Sequence, residues 1–402
     1  MAEAATKTLN RNFVAYWTAV GTSQLGSAVN LVVVPLVAVV TLRAGPVEMA
    51  WLAVMGTLPV LLIRIPAAMF ADRLANRLPY MIGCNLAQAA IVGAIPLLWW
   101  LEALTMPLLL GLQALASAAL GVYASLSTPV VVQIVPKERL VDANGKLNTT
   151  RSVADISGSA ISGGLLAILA VPLVLLVDCV SFLLSALLLR RITLAPREQV
   201  EPGTRPKHDL GAVARFLAPR SGLQALVLVS LVQGVVETIL VLYLVHDLRI
   251  APSLISVLIS LGAVGGVCGG LAVGFLLERV GPAYTMTLSA LVMIVSMAGL
   301  PFAGPGLTGV AAVVLYQLTC SFAGTVLVSA VFGTLQGDAP GDRVAQVMAM
   351  ASTCLQIGGL AGAGLGGLLS GWFSLRAMMA IAAVAMLAGL LVQITRWLLG
   401  RG

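Results

Sequence analysis

Charged side chains are scarce in this chain, and their scarcity excludes most water-soluble architectures. Asp, Glu, Lys and Arg make up only 10% of the 402 residues, whereas hydrophobic residues make up 59%. In a soluble domain about a quarter of the residues are charged. The mean hydropathy of +1.02 therefore indicates that most of the chain lies in lipid.

Residues and motifs that are typical of catalytic, metal-binding or nucleotide-binding sites are also scarce. The two histidines, His208 and His246, both fall outside the middle of the apolar runs, and the five cysteines lack the CxxC spacing of metal sites. The sequence contains no His-Glu-x-x-His, no Gly-x-Ser-x-Gly and no phosphate-binding glycine loop. These absences disfavour an intramembrane enzyme and an ATP-driven pump, and we expect neither a cofactor nor a metal. A passive channel remains an alternative.

Long apolar runs are abundant, and they predict the fold class. A helix crosses the bilayer core with ~20 apolar residues. Twelve runs approach or exceed that length, at about 12–41, 47–70, 79–101, 106–134, 144–169, 172–190, 222–245, 253–277, 283–302, 307–336, 344–371 and 376–398. We therefore predict an all-α membrane protein with twelve transmembrane helices.

Lys and Arg are distributed unequally between the two sides of the predicted spans. Nineteen of the 23 basic residues fall on the side of the termini, three fall on the opposite side, and Arg64 lies within a span. Because basic residues concentrate in cytoplasmic loops, both termini are predicted to be cytoplasmic. The net charge of +7 is thus a topology signal, and we expect no nucleic-acid partner.

Two charged turns recur about half a chain apart and indicate an internal duplication. Ala71-Asp72-Arg73 ends one apolar run, and Leu277-Glu278-Arg279 ends another 206 positions later. The turn Pro136-Lys137-Glu138-Arg139 likewise has a near copy in Pro340-Gly341-Asp342-Arg343. Duplicated multi-helix halves that enclose a substrate site are typical of secondary transporters.

The duplication predicts two pseudo-symmetric six-helix bundles joined by a linker. We expect an N-terminal lobe over 1–190, a cytoplasmic linker over 191–221 and a C-terminal lobe over 222–402. Within the linker, Asp209 to Leu217 forms either a short amphipathic helix at the membrane surface or part of a flexible tether.

The loop after the second predicted span carries a partial family motif. Residues 68–77 read AMFADRLANR. They resemble the Gly-x-Leu-Ala-Asp-Arg-x-Gly-Arg-Lys motif of the major facilitator superfamily, with alanines in place of both glycines and Asn76 in place of a basic residue. The resemblance covers essentially the whole chain, and it implies the major facilitator fold with alternating access.

The same resemblance assigns a cytoplasmic gate. In the superfamily this loop latches the cytoplasmic side when it is closed, and the duplication supplies a counterpart in the second half. The predicted gate residues are Asp72, Arg73, Arg77, Glu278 and Arg279.

Later stretches resemble one branch of the superfamily. Ala143-Asn144-Gly145 opens the fifth predicted span, Gly158 to Gly164 lies within it, and Asp178-Cys179-Val180-Ser181-Phe182 lies in the sixth. This order is similar to the drug:proton antiporter branch with macrolide efflux pumps and the enterobactin exporter. Ser159 stands where that branch often has proline, and Ser27 where it often has an acid.

The branch implies export of amphipathic organic molecules, drugs or secondary metabolites, in exchange for protons. Lysophospholipid transporters share the Ala-Asn-Gly start of the fifth span, so lysophospholipid or siderophore transport remains an alternative. We expect a monomer in the plasma membrane, with a small amphipathic substrate, protons and membrane lipid as its partners.

Ionisable residues inside the predicted spans are the candidates for proton coupling, because a charge at mid-bilayer costs at least about 2.5–3.5 kcal/mol. Glu237 lies mid-span without a basic neighbour in sequence and is the leading candidate. Asp155 follows Arg151 by four residues, so it pairs with that arginine, meets Arg64 or carries a proton. Asp178 is the third candidate, with a structural role favoured.

Polar residues in the spans complete the prediction. Spans 1, 4, 7 and 10 line the cavity in the superfamily, and most of these residues fall there. Arg64 is included because a guanidinium inside the second span needs an acid, an anionic substrate or backbone carbonyls. The predicted cavity residues are Gln24, Asn30, Arg64, Gln113, Tyr123, Gln233, Glu237, Tyr316, Gln317 and Gln356.

Overall fold

The computed structural model describes residues 2–74, 76–136, 139–193, 210–340 and 344–399. Within these residues the regular structure is helical and no strand occurs, as the sequence predicts. The α-helices are α1 (Ala2–Leu36), α2 (Pro46–Arg73), α3 (Leu78–Trp100), α4 (Met106–Ile134), α5 (Leu140–Leu166), α6 (Leu176–Leu189), α7 (Leu210–Leu217), α8 (Ser221–Leu242), α9 (Pro252–Val280), α10 (Pro282–Ala298), α11 (Leu307–Asp338), α12 (Val344–Leu369) and α13 (Leu375–Leu399).

Twelve of these helices correspond to the twelve predicted spans, and α7 falls in the predicted linker. Ten helical segments of the described residues are long and apolar enough to cross a membrane. The helix α5 does not qualify because Lys146, Arg151 and Asp155 lie in it. In α13 the described side chains form the apolar segment Leu375–Leu391.

The chain groups into two compact units. The first unit comprises Met1–Ala44 with Val54–Thr204, and the second comprises Gly45–Ala53 with Arg205–Gly402. In the first unit α1 packs against α5 and α6, and α3 packs against α4 and α6. In the second unit α8 packs against α12 and α13, and α10 packs against α11 and α13. The two units therefore repeat one helix arrangement.

The ends of α1 and α8 repeat each other in backbone detail. Each helix continues into a π-helical turn, Val37–Thr41 after α1 and Tyr243–Asp247 after α8, which are 206 positions apart. Each turn is followed by an arginine in the left-handed region, Arg43 with a φ of 55° and Arg249 with a φ of 54°. Non-glycine residues rarely adopt this conformation. Its recurrence at one offset supports the duplication.

Glycines let α5 approach α1, and α12 approach α8, to backbone contact. A Cβ atom added at Gly362 would overlap the carbonyl oxygen of Leu231. A Cβ atom added at Gly158 would lie 2.9 Å from the carbonyl oxygen of Leu25. Leu231 follows Leu25 by 206 positions and Gly362 follows Gly158 by 204, so both units contain the same contact. Such small residues permit close helix packing inside a membrane.

The short helix α7 is attached to the second unit, which favours the predicted amphipathic helix over a tether. Its Val213 and Leu217 are buried, and it contacts α12. The guanidinium carbon of Arg220 lies 4.0 Å from the ring centroid of Phe216. Arg220 also forms an ion pair with Asp338 at the end of α11. These contacts fix the last part of the predicted linker near the start of α8.

Gly362→Ala is expected to destabilise the protein, because the new Cβ atom pushes α12 away from α8. Overpacking of this kind costs about 1–3 kcal/mol, so the unfolding temperature of the detergent-solubilised protein should fall. Gly364→Ala is the matched control, because a Cβ atom there meets nothing within 4 Å. Equal unfolding temperatures for the two variants would contradict the close contact.

Candidate functional site

Glu237 lies in the middle of α8, and its side chain is exposed rather than buried. Among the residues that the structure describes, its carboxyl group forms no ion pair and no hydrogen bond. A charge within a membrane span that lacks a partner must face water or a ligand, because lipid offers it neither. The carboxyl group of Glu237 therefore lies where water or a ligand can reach it.

Gln233 lies one turn before Glu237 on the same face of α8. Its Nε2 donates to the hydroxyl oxygen of Tyr316 on α11 over 3.3 Å. Its Oε1 is buried and accepts no hydrogen bond within the described ranges. Tyr316 is only 1% exposed, and it also interacts with the thiol of Cys320 one turn further along α11. Gln233 and Tyr316 are thus brought together, with Glu237 on the adjacent turn of α8.

Sequence reasoning overlooked Cys320, although one signal was present. Cys320 follows Tyr316 by four residues, and that spacing places two side chains on one face of a helix. Like the other four cysteines, however, it lies in an apolar run, and such a position is typical of a small buried side chain.

Two further predicted cavity residues of the second unit point elsewhere. Gln317 faces α9, where its Nε2 would lie 3.7 Å from a Cβ atom at Gly262. Gln356 precedes Gly358 by two residues, about 200° around α12, and Gly358 is the residue that faces Val227 of α8. Gln356 therefore lies on the side of α12 away from α8.

Asp178 and Asn30 bind each other in the first unit. The Nδ2 of Asn30 donates to Oδ2 of Asp178 over 2.8 Å, and the Ser181 hydroxyl lies 3.4 Å from Oδ1 of Asp178. Asp178 is 1% exposed, and a Cβ atom at Gly26 would lie 2.6 Å from its Oδ1. This contact ties α1 to α6. The geometry therefore favours a structural role for the predicted cavity residue Asn30 and for the predicted proton carrier Asp178.

Arg64 and Asp155 both have exposed side chains, and neither predicted pairing of Asp155 is formed. In the described part of the chain Asp155 makes no ion pair with Arg64 or with Arg151. The carbonyl oxygen of Arg64 accepts a hydrogen bond of 3.3 Å from the hydroxyl of Ser125, which ties α2 to α4. The guanidinium of Arg64 and the carboxylate of Asp155 are thus both accessible to water or to a ligand.

The other polar candidates of the first unit are partly buried. Gln24 is half-buried on α1. The Nε2 of Gln113 would lie 3.3 Å from a Cβ atom at Gly56, which places Gln113 where α4 meets α2. The hydroxyl of Tyr123 is buried and makes no hydrogen bond to any residue that the structure describes.

The predicted gate residues occupy different environments. Arg77 is 1% exposed, and its Nε donates to the carbonyl oxygen of Ala71 over 3.0 Å, so it caps the end of α2. The side chains of Asp72 and Arg73 lie outside the described residues. In the second unit Glu278 and Arg279 are exposed. The guanidinium carbon of Arg279 lies 5.1 Å from the ring centroid of Phe275, a cation–π distance.

Comparison with known proteins gives one family and several structural neighbours. The sequence profile of the Major Facilitator Superfamily matches residues 16–363. No curated protein sequence matches the chain. The fold is similar to that of the nucleoside transporter NupG, with a TM-score of 0.79 and 13% identity over 96% of this chain and 98% of that one.

Two other solved structures are similar over nearly their full length. A bacterial homologue of the iron transporter ferroportin has a TM-score of 0.73 and 17% identity, over 97% of this chain and 98% of that one. A bacterial homologue of the human lysosomal transporter Spinster has a TM-score of 0.67 and 14% identity, over 97% of this chain and 95% of that one. At such identities the similarity shows the fold alone.

Asp178→Leu is expected to destabilise the protein by about 1–3 kcal/mol, because it leaves the amide of Asn30 without its acceptor. Asp178→Asn keeps an acceptor oxygen in place and should retain most of the stability. Thermal unfolding of the two purified variants measures the difference. A leucine variant as stable as the asparagine variant would show that this bond does not hold α1 to α6.

Proposed function

Because the chain belongs to the Major Facilitator Superfamily and is therefore a secondary transporter, we propose that it exports amphipathic organic molecules in exchange for protons. The proposed substrate classes are drugs and secondary metabolites. The observation that carries the proposal is the carboxyl group of Glu237, exposed and unpaired in the middle of α8. The protein would act as a monomer in the plasma membrane with both termini in the cytoplasm.

A proton carrier must be reachable by water and must not be neutralised by a permanent ion pair. Glu237 meets both conditions among the described residues. Asp155 meets them in the first unit and is the second candidate. Asp178 does not, because it is buried and bound to Asn30. Protonation of Glu237 would favour one lobe arrangement and substrate release the other.

The surroundings of Glu237 suit an amphipathic substrate. Within the middle of α8, Ser230 and Thr238 donate their hydroxyls to backbone carbonyls of the same helix. Gln233 and Glu237 therefore remain as the polar groups of an otherwise apolar stretch. A mostly apolar surface with a few polar anchors is typical of sites for small organic ligands.

Glu237→Gln is expected to abolish uphill export driven by a pH gradient, because the amide cannot cycle a proton. The measurement is export of the amphipathic cation ethidium from proteoliposomes with an imposed pH gradient. Glu102→Gln, which removes an exposed carboxylate between α3 and α4, is the control and should export normally. Parent-like uphill export by both Glu237→Gln and Asp155→Asn would show that the proposed carriers are wrong.

Arg64 supports a second candidate, transport of a lysophospholipid or a siderophore. Its guanidinium is exposed within α2 and forms no ion pair with a described residue. An arginine in a membrane span is costly without a partner. Its planar fork of donors matches the oxygens of a phosphate or a catecholate.

Thermal stabilisation by ligands separates the two candidates. A ligand present at a hundred times its Kd stabilises the folded protein by about 2.7 kcal/mol, which raises the unfolding temperature. For the leading proposal ethidium should protect the parent but not Glu237→Gln. For the alternative a lysophosphatidylglycerol should protect the parent but not Arg64→Gln, with Arg190→Gln at the end of α6 as the control. Protection by the anionic lipid alone would contradict the leading proposal.

A further inference from the structure

We propose that Gln233 and Tyr316 position the proton on Glu237 through a chain of hydrogen bonds that runs from α8 to α11. In this chain the protonated carboxyl of Glu237 donates to Oε1 of Gln233, and Nε2 of Gln233 donates to the hydroxyl oxygen of Tyr316. Tyr316 in turn donates to the sulfur of Cys320. The inference rests on the proposed function, because it concerns the same carboxyl group.

The buried Oε1 of Gln233 is the first observation in favour of this series of hydrogen bonds. A buried acceptor without a donor destabilises the structure, and the described residues supply this oxygen with no donor. Glu237 is one turn away on the same face, where Cβ atoms are about 5–6 Å apart. A protonated carboxyl group there supplies the missing donor, whereas an ionised carboxylate has no hydrogen to donate.

Tyr316 fixes the orientation of the Gln233 amide. The Nε2 atom is directed at the buried hydroxyl of Tyr316, 3.3 Å away, so the carbonyl oxygen of the amide must point away from that hydroxyl. The hydroxyl hydrogen of Tyr316 remains free for Cys320, with which Tyr316 interacts. The amide and the hydroxyl then each donate and accept once, and hydrogen bonds in such a series strengthen one another.

Charged groups on the neighbouring helices lie far from these hydrogen bonds. The helix α8 packs against α11, α12, α13 and its own π-helical end. Their described titratable groups are Tyr316, Cys320 and Asp338 on α11, Cys354 on α12, Arg376 on α13, and Tyr243, His246 and Asp247 at the end of α8.

Two of these charges are paired with each other at the far end of α8. Arg376 lies 3.7 Å from Asp247, which is about 15 Å along the helix axis from Glu237. Asp338 is paired with Arg220 before the start of α8. The protonation of Glu237 is therefore governed by water, by its ligand and by Gln233.

Proton release would break the first hydrogen bond of the chain. Without its donor, Oε1 of Gln233 is again unsatisfied, and the amide gains by turning away from Tyr316 towards water. The contact between α8 and α11 then weakens. Protonation at Glu237 is thus linked to helix packing within one unit, which is the kind of differential interaction that shifts a conformational equilibrium.

Infrared titration of the carboxyl C=O stretch tests the proposed hydrogen bonds and requires no transported substrate. The spectrum of the purified protein in nanodiscs, minus that of Glu237→Gln, isolates the signal of Glu237. Gln233→Met removes the acceptor and keeps a similar side-chain volume. The spectrum subtracted from that of Gln233→Met is the spectrum of the double variant Gln233→Met/Glu237→Gln. We expect the protonated band to move to higher frequency. The titration midpoint should fall by about one pH unit, because the neutral form loses one hydrogen bond.

Tyr316→Phe should move the midpoint in the same direction by a smaller amount, because it frees the Gln233 amide to rotate. Tyr243→Phe is the matched control. Tyr243 is a buried tyrosine of the same unit whose hydroxyl donates to the carbonyl oxygen of Leu300 over 2.7 Å. Its replacement should lower stability and leave the midpoint unmoved. Equal midpoints for Tyr316→Phe, Tyr243→Phe and the parent would contradict a positioning role for Tyr316.

An unchanged band and midpoint in Gln233→Met would overturn the inference. If that variant does not fold, Gln233→Asn, which withdraws the amide by one methylene, decides the question in the same way. Ethidium export keeps the two proposals apart. Parent-like uphill export by both Glu237→Gln and Asp155→Asn overturns the proposed function. Loss of export in Glu237→Gln, with unmoved midpoints for Gln233→Met and Tyr316→Phe, overturns only the hydrogen-bond chain.

Discussion

The high cost of an unpaired charge in lipid is the constraint that organises the polar groups of this protein. Four ionisable groups within the described spans meet that cost in one of two ways. Asp178 is buried and accepts a hydrogen bond from Asn30. Glu237, Asp155 and Arg64 are exposed and unpaired among the described residues, so they require water or a ligand. The first kind of group joins helices, and the second kind is the one that we propose takes part in transport.

Close helix contacts supply the rigid frame on which the exposed groups are carried. Gly362 and Gly158 allow backbone contact in equivalent places of the two units. Because a Cβ atom has no room at either contact, the helices of each pair are held at a fixed separation. The Gln233–Tyr316 bond between α8 and α11 lies within such a frame.

Much of the fold follows from the sequence, whereas only part of the site does. Hydropathy predicted the helices, and the offset of 206 positions predicted a repeat that Arg43 and Arg249 display in backbone detail. Helical spacing predicts that Gln233 and Glu237 share one face of α8. It could not show that Asn30 turns towards Asp178, or that Asp155 forms no salt bridge with Arg151.

The sequence by itself determined that this chain is a multi-pass membrane protein built of apolar helices. Those properties follow from transfer free energies that add along the chain and need no knowledge of neighbours. Only the tertiary structure decided which polar groups meet. That choice depends on the rotation of each helix and on how closely glycines let two backbones approach, and both are set by packing between segments far apart in sequence.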